Sequence, residues 1–395
     1  MPVPKLPLEV LQKLNYDEAI GPNDPRFVDT DAARGGDGMQ RRLAVKFGLD
    51  LSTQDFYPTS KKHVLLFGPI GGGKSTELRR FSETLKTGRK LHPILLNVRG
   101  EIDINNLRYA DMLMALAHAV VLDLANNSIV VDDSGLKRMQ AWFSEQVFST
   151  EKTNEIAGEL KGEVSTGLQI PLLVRLMAKF TPTFKNSSVY KNTMREVVQN
   201  SFSQFAEAFN ELLRAAEKGL QTAGMAERIV LLVDGTDKTT MEDAQRLFVS
   251  DAEQLLAIEA LVVYTAPISL KYGGTTHGKL DSDLVLPIIK LRERDGTRND
   301  VGWAAMKAIL ERRIDLKAFT GDDAIRELIS NSGGHPREML RLLQMACEAT
   351  QTSMIDAATV KKAVEKLAAD YRFWLQPEDY RVLAEVDDSG GANVG

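Results

Sequence analysis

The sequence predicts an α/β fold: a parallel sheet with a helical insertion, followed by a C-terminal all-helical segment. Three observations predict it. Short apolar runs of strand length recur between longer amphipathic stretches, as in a buried parallel sheet with helical crossovers. A glycine-rich stretch, Gly68-Pro69-Ile70-Gly71-Gly72-Gly73-Lys74-Ser75, links the first of those runs to a helical pattern. From Val301 onward strand patterns stop and only helical periodicity remains.

The glycine-rich stretch fits Gly-x-x-x-x-Gly-Lys-Ser/Thr at every fixed position. By chance the bare pattern arises on the order of once in a hundred chains of this length. His63-Val64-Leu65-Leu66-Phe67 before it reads as a buried strand, and Leu78, Phe81 and Leu85 after it share one helical face. Strand, glycine turn and helix start make a phosphate cradle. Glycines let successive N–H groups point inward, and the helix start adds unpaired donors and partial positive charge. Lys74 is expected to reach the β- and γ-phosphates of ATP. The Ser75 hydroxyl is expected to hold Mg²⁺, with Thr76 beside it in the nucleotide contact. The bland alternative is a glycine turn with a surface lysine.

Composition sets bounds. A chain of 395 residues with a net charge of −5 has room for two or three modules, and its mild acidity argues against wholesale nucleic-acid binding without excluding a local basic patch. Cys347 is the only cysteine and the five histidines are scattered, so no disulfide framework or zinc spacing is present. Cys347 lies in an apolar helical stretch and reads as a core residue. The start lacks a signal-peptide layout, and the longest apolar stretch, Tyr109 to Ala125, is broken by Asp111, His118 and Asp123. These features point to a cytoplasmic protein that does not enter a membrane.

In chain order, residues 1–50 form an N-terminal arm. Pro22-Asn23-Asp24-Pro25-Arg26-Phe27-Val28-Asp29 is expected to be extended, followed by a turn at Arg34-Gly35-Gly36-Asp37-Gly38 and a helix from Met39. In many ATPases with this loop, the segment before the first strand wraps the adenine. Phe27, Val28 and Arg34 are the candidates, against the alternative of an arm packed on the core. Residues 51–290 form the sheet core. Its second strand is Pro93 to Val98, and an amphipathic helix follows from about Leu107 to Ala125. Residues 126–221 read as a helical insertion, with helices at Leu136 to Phe148 and Met194 to Leu220. Arg175, Lys179, Lys185 and Lys191 between them, with Arg195, form a basic run that suits nucleic acid, a phosphate or a partner, or a solvated helix face.

A third strand ends in Val233-Asp234-Gly235-Thr236-Asp237. Ligands of open α/β sheets sit at the carboxyl ends of strands. Asp234 is therefore a candidate for the Mg²⁺ shell, and Asp237 for orienting or deprotonating the attacking water, with Glu77 a weaker alternative. A fourth strand, Ala260 to Thr265, puts Thr265 or Ser269 where a γ-phosphate is sensed. A fifth is expected at Val285 to Leu291, where Pro287 implies an edge. Arg292, Arg294 and Arg298 crowd the next loop, one of them a candidate arginine finger for a neighbouring subunit and otherwise ordinary loop charge. Residues 291–375 form a helical bundle and 376–395 a tail, with disorder expected from Asp387.

Taken together, Gly68 to Ser75, Asp234-Gly235-Thr236-Asp237, the Thr265 strand end and Gly334-His335-Pro336 resemble the AAA+ and STAND signal-transduction P-loop ATPases, near their origin-recognition-like branch. The resemblance covers about Asp24 to Leu375. It implies that residues 291–375 are a lid, that Pro336 lies beside the nucleotide, and that Arg337 is a sensor arginine touching the γ-phosphate; Arg337 also suits a first-turn helix residue that bonds locally. The wording at Asp24 to Val28, Gly68 to Ile70 and Gly334 to Glu338 is similar to bacterial ATP-binding proteins, several of which act in antiviral defence. Two departures stand out. The second acidic motif lacks the usual Asp-Glu pair, so Asp237 must supply the second carboxylate, and the spacing from Lys74 to Asp234 implies an insertion on the order of a hundred residues.

The expected activity is slow, Mg²⁺-dependent ATP hydrolysis by a switch whose output is lid motion, homo-oligomer assembly or control of an effector protein. The alternatives are a DNA-associated loader ATPase and a nucleotide-locked scaffold that binds ATP or ADP with little turnover.

Overall fold

A computed structural model describes residues 3–36, 38–186, 188–273 and 276–388, and the side chains among them outside 181–189. Asp37, the Lys185 side chain and the tail from Ser389 lie outside the described residues. The chain divides into two compact units. The larger holds Ala19–Asp24 and Arg34–Ile288; the smaller holds the residues up to Glu18, Pro25–Ala33 and the chain from Ile289 on.

The larger unit is built on five parallel strands: β1 (Lys62–Gly68), β2 (Leu91–Asn97), β3 (Arg228–Asp234), β4 (Leu261–Pro267) and β5 (Ser282–Val285), in the order β2-β3-β4-β1-β5. Their runs are apolar because both faces are covered. The connection from β1 to β2 crosses the sheet in one direction, and all later ones return in the other. Uniformly right-handed crossovers must then put the helix after β1 on one face and the later crossover helices on the opposite face.

Alternation along the strands agrees. Val64 and Leu66 pack with Leu78, Phe81 and Leu85 of the Lys74–Gly88 helix, with Leu43 of the Met39–Lys46 helix and with Phe47 just after it. Leu65, Phe67, Ile94 and Leu96 pack on the other side with Leu113, Leu116 and Val120 of the Tyr109–Asn126 helix. At the β2 edge, Lys90 O accepts from Glu227 N and Arg228 N, so its alternation turns Pro93 to the free edge, where a missing N–H costs least.

The insertion is helical, as expected: Asp133–Trp142 with a π-turn at Phe143–Val147, then Glu151–Thr166, Ile170–Asn186, Ser188–Asn200 and Phe202–Thr222. The single helix expected over Met194 to Leu220 is broken at Ser201. Its hydroxyl donates to Val197 O at 2.7 Å and accepts from Trp142 Nε1 at 2.9 Å, a back-bond of the kind that bends helices. The insertion shares one continuous core with the sheet face.

The fifth strand differs from expectation. β5 spans Ser282–Val285, one more sheet contact follows from Leu286 N to Phe67 O at 2.9 Å, and no strand runs on from Pro287, which cannot donate. The edge position is as expected.

The smaller unit contains helices Pro7–Lys13, Asp300–Glu311, Asp322–Asn331, Pro336–Ala349, Ala357–Arg372 and Pro377–Asp388. Val10, Met306, Leu310, Leu328, Met339, Leu343 and Val360 share its core. Asn299 and Asp356 cap helix starts, accepting from Gly302 N and Thr359 N, each at 2.7 Å. Cys347 is in this core, and burial pushes its thiol up to about 12. Asp387 and Asp388, expected to open a disordered end, close the last helix, which buries no residue.

Candidate functional site

The glycine loop leaves β1 at its carboxyl end and feeds the Lys74–Gly88 helix. Gly71 and Gly73 have φ of +80° and +105°, a region that disfavours side chains. A Cβ on Gly72 would lie 3.1 Å from both Pro69 Cγ and Pro69 O. No side chain caps the helix start, and the first N–H groups of a helix have no intrahelical partner. The loop thus presents its own amides at one end of a helix.

Two contacts bring the separate motifs together. Ser75 Oγ donates to Asp234 Oδ1 at 2.8 Å, and Lys74 Nζ pairs with Asp237 Oδ2 at 2.8 Å. Lys74 also donates to Gly68 O at 2.6 Å and Pro69 O at 3.0 Å, and its side chain is only 3% exposed. Burial pushes the Asp234 carboxyl above its usual range, with Asp237 adding to the rise and the Ser75 hydrogen bond opposing it.

Thr265 is fully buried, and its hydroxyl accepts from Gly235 N at 3.0 Å while its carbonyl accepts from Thr236 Oγ1. It therefore supports the acidic turn from behind. Ser269 Oγ lies 3.5 Å from Met241 Sδ. Glu77, the weaker candidate for the water, is turned to the Met39–Lys46 helix: Gln40 Nε2 donates to it at 2.8 Å and Arg80 lies 3.7 Å away.

Arg34 sits on the glycine loop. Its Nη2 donates to Gly72 O at 2.7 Å and its Nη1 to Pro287 O. No local pattern in the sequence marks this role.

Phe27, Val28, Pro336 and Arg337 belong to the smaller unit. Val28 packs on its core. Pro336 opens a helix behind a His335 cap, and Gly334 is required at φ +82°, where a Cβ would meet Ile289 O at 1.8 Å. Arg337 pairs with Asp17, and its guanidinium lies 5.8 Å from the Tyr16 ring centroid.

Four described residues of the insertion's basic run are matched by carboxylates: Arg175 with Glu163 at 2.7 Å, Lys191 with Asp103 at 3.3 Å, Lys179 with Glu159 and Arg195 with Asp111. In the arginine loop, Arg292 donates to Gly296 O at 3.2 Å, and Arg298 lies over Trp303 at 4.4 Å and pairs with Asp300 at 2.9 Å.

Among the described residues no helix is long and apolar enough to cross a membrane. No protein-family model matches the chain and no curated protein matches it.

Proposed function

We propose that the chain is a P-loop ATPase of AAA+/STAND type, working as a nucleotide-controlled switch. The observation that carries this reading is the convergence of Ser75 with Asp234 and of Lys74 with Asp237 at 2.8 Å each, at the carboxyl ends of β1 and β3. The glycine cradle, the uncapped helix start and the buried lysine suit a phosphate chain. Ser75 and Asp234 offer hydroxyl and carboxylate oxygens, a donor set that suits a hard cation, and these two residues would hold Mg²⁺. When bound, Mg²⁺ supplies neutralisation of charge on the phosphates.

The chain's own residues have separable tasks. Lys74 Nζ and the amides of Gly71 and of Gly73 to Thr76 bind phosphate oxygens; the Gly72 amide closes the turn on Pro69 O at 3.0 Å. Asp237 orients water and accepts its proton at a carboxylate oxygen. The helical unit is read as a lid, and antiviral defence as the setting, on the strength of the resemblance alone. A DNA-associated role is the weaker reading, because Arg175, Lys179, Lys191 and Arg195 of the insertion's basic run have acidic partners.

The test is calorimetric titration of Mg·ATP into the full chain and its Lys74→Ala variant, with phosphate release and light scattering in ADP or a non-hydrolysable analogue. The wild type is expected to bind, and Lys74→Ala to lose affinity about 100-fold or more, since hydrogen bonds to charged groups contribute roughly 1.5–3 kcal/mol each. Equal affinity would sink the site. Assembly with the analogue and not with ADP would support the switch; tight ADP with no turnover would favour the scaffold.

A further inference from the structure

We infer that Arg34 is a positioning residue for the phosphate loop, holding the Gly72–Gly73 peptide so that its N–H faces the cradle. This rests on the P-loop reading above. In a planar trans peptide the C=O and the following N–H point in opposite directions. Arg34 Nη2 takes Gly72 O at 2.7 Å, and this fixes the direction of the Gly73 N–H. The Gly72–Gly73 link needs such a hold. Gly73 has φ +105°, and a glycine pair crosses between backbone basins with little steric resistance.

The other arm of the fork is anchored. Arg34 Nη1 donates to Pro287 O, and the neighbouring Leu286 is tied to β1 by its N–H to Phe67 O at 2.9 Å. Leu286 O also lies 3.0 Å from where a Gly68 Cβ would be, at the foot of the loop. Arg34 therefore braces a mobile type of backbone against the sheet. The close fit leaves no slack: a Cβ on Gly73 would lie 3.3 Å from Arg34 Nη2. A planar guanidinium meets the two carbonyls from two nitrogens fixed in one plane; a lysine carries the same charge on a single nitrogen and does not fix their direction in that way.

The experiment uses the full chain as wild type, Arg34→Lys and Arg34→Ala. The readouts are Mg·ATP affinity, KM against kcat, the melting temperature and the ¹⁵N-glycine spectrum. Both variants are expected to bind Mg·ATP about tenfold or more weakly, through the loss of one well-directed phosphate donor. Melting should stay close to wild type, and the Gly73 signal should shift or double. Millimolar guanidinium should restore part of the affinity of Arg34→Ala. Lysine that restores full affinity would show that charge alone matters and overturn the inference. So would an unmoved Gly73 signal, or parallel loss of melting temperature and affinity without guanidinium rescue. If the wild type binds no Mg·ATP, the nucleotide reading fails by itself, and the Gly73 signal still decides whether Arg34 sets the peptide.

Discussion

Lys74–Asp237 and Arg195–Asp111 are both buried cation–aspartate pairs of the larger unit, with side chains 3% and 5% exposed in the first and 8% and 0% in the second. Their surroundings separate them. Arg195 meets Asp111 with its fork: Nε lies 2.9 and 3.1 Å from the two carboxylate oxygens, and Nη2 bonds both Asp111 and Asn106 O. Arg108 N adds a further donor to Asp111 at 3.1 Å. Burial still pushes the Asp111 carboxyl up, against the pull of Arg195. Such a pair is locked by geometry and pins the Ser188–Asn200 helix to the start of the Tyr109–Asn126 helix.

Lys74 presents a point charge on a flexible stem. Its three donors go to Gly68 O, Pro69 O and Asp237. Two of these partners are carbonyls of its own loop, and the adjacent Ser75 carries a second carboxylate partner, Asp234. The same burial therefore yields a rivet in one place and a redirectable cation in the other. The residue type decides which, because a fork fixes direction and an ammonium does not.

Removing one partner of the rivet should have the largest effect. Arg195→Met leaves Asp111 buried and uncompensated, and should cost about 3–5 kcal/mol in urea unfolding. The double variant Arg195→Met with Asp111→Leu should regain most of that loss. If the single variant is as stable as wild type, the distinction between the two pairs collapses.

Asp237→Asn sharpens the other side. It should keep Mg·ATP binding and slow phosphate release about 100-fold, with less loss of stability than Arg195→Met. Unchanged turnover would remove Asp237 from the chemistry.

The smallest effect comes from a buried group handled by neutralisation. His63 is fully buried; its Nε2 donates to Ile258 O at 3.0 Å, so Nδ1 is the acceptor facing the Tyr264 hydroxyl at 3.3 Å. Desolvation lowers its pKa from 6.5 to about 4. Between those values the unfolded chain binds the proton and the folded chain does not. Stability from this group is present above about pH 6.5 and falls as the pH drops toward 4. By pH 5.5 the loss should be about 1 kcal/mol relative to pH 7. His63→Asn or His63→Gln should flatten that slope in pH-dependent melts; an unchanged slope would assign the acid sensitivity elsewhere.

Much of the sheet was legible because parallel strands write themselves as apolar runs. β1, β2 and β4 start within two residues of expectation, and β3 ends on Asp234. β5 was misplaced because a four-residue edge strand leaves little signal and Pro287 lies just beyond it. The break at Ser201 was hidden because the hydrophobic pattern continues through it; the partner that holds its hydroxyl, Trp142, is 59 positions away. Lys191 and Arg195 looked like part of a solvated charge run. Arg195 instead finds Asp111 across 84 positions, and nothing local in either segment announces the pair.

By itself the sequence determined the glycine loop, the lysine and serine that follow it, and the acidic carboxyl end of β3, since spacing along one chain is enough to set a turn, a helix start and a strand end. Only the tertiary structure decided which of these meet: Ser75 with Asp234, Lys74 with Asp237, and Arg34 with Gly72. Those contacts depend on strand order and crossover hand, which bring distant segments to one end of the sheet and leave no trace in local periodicity.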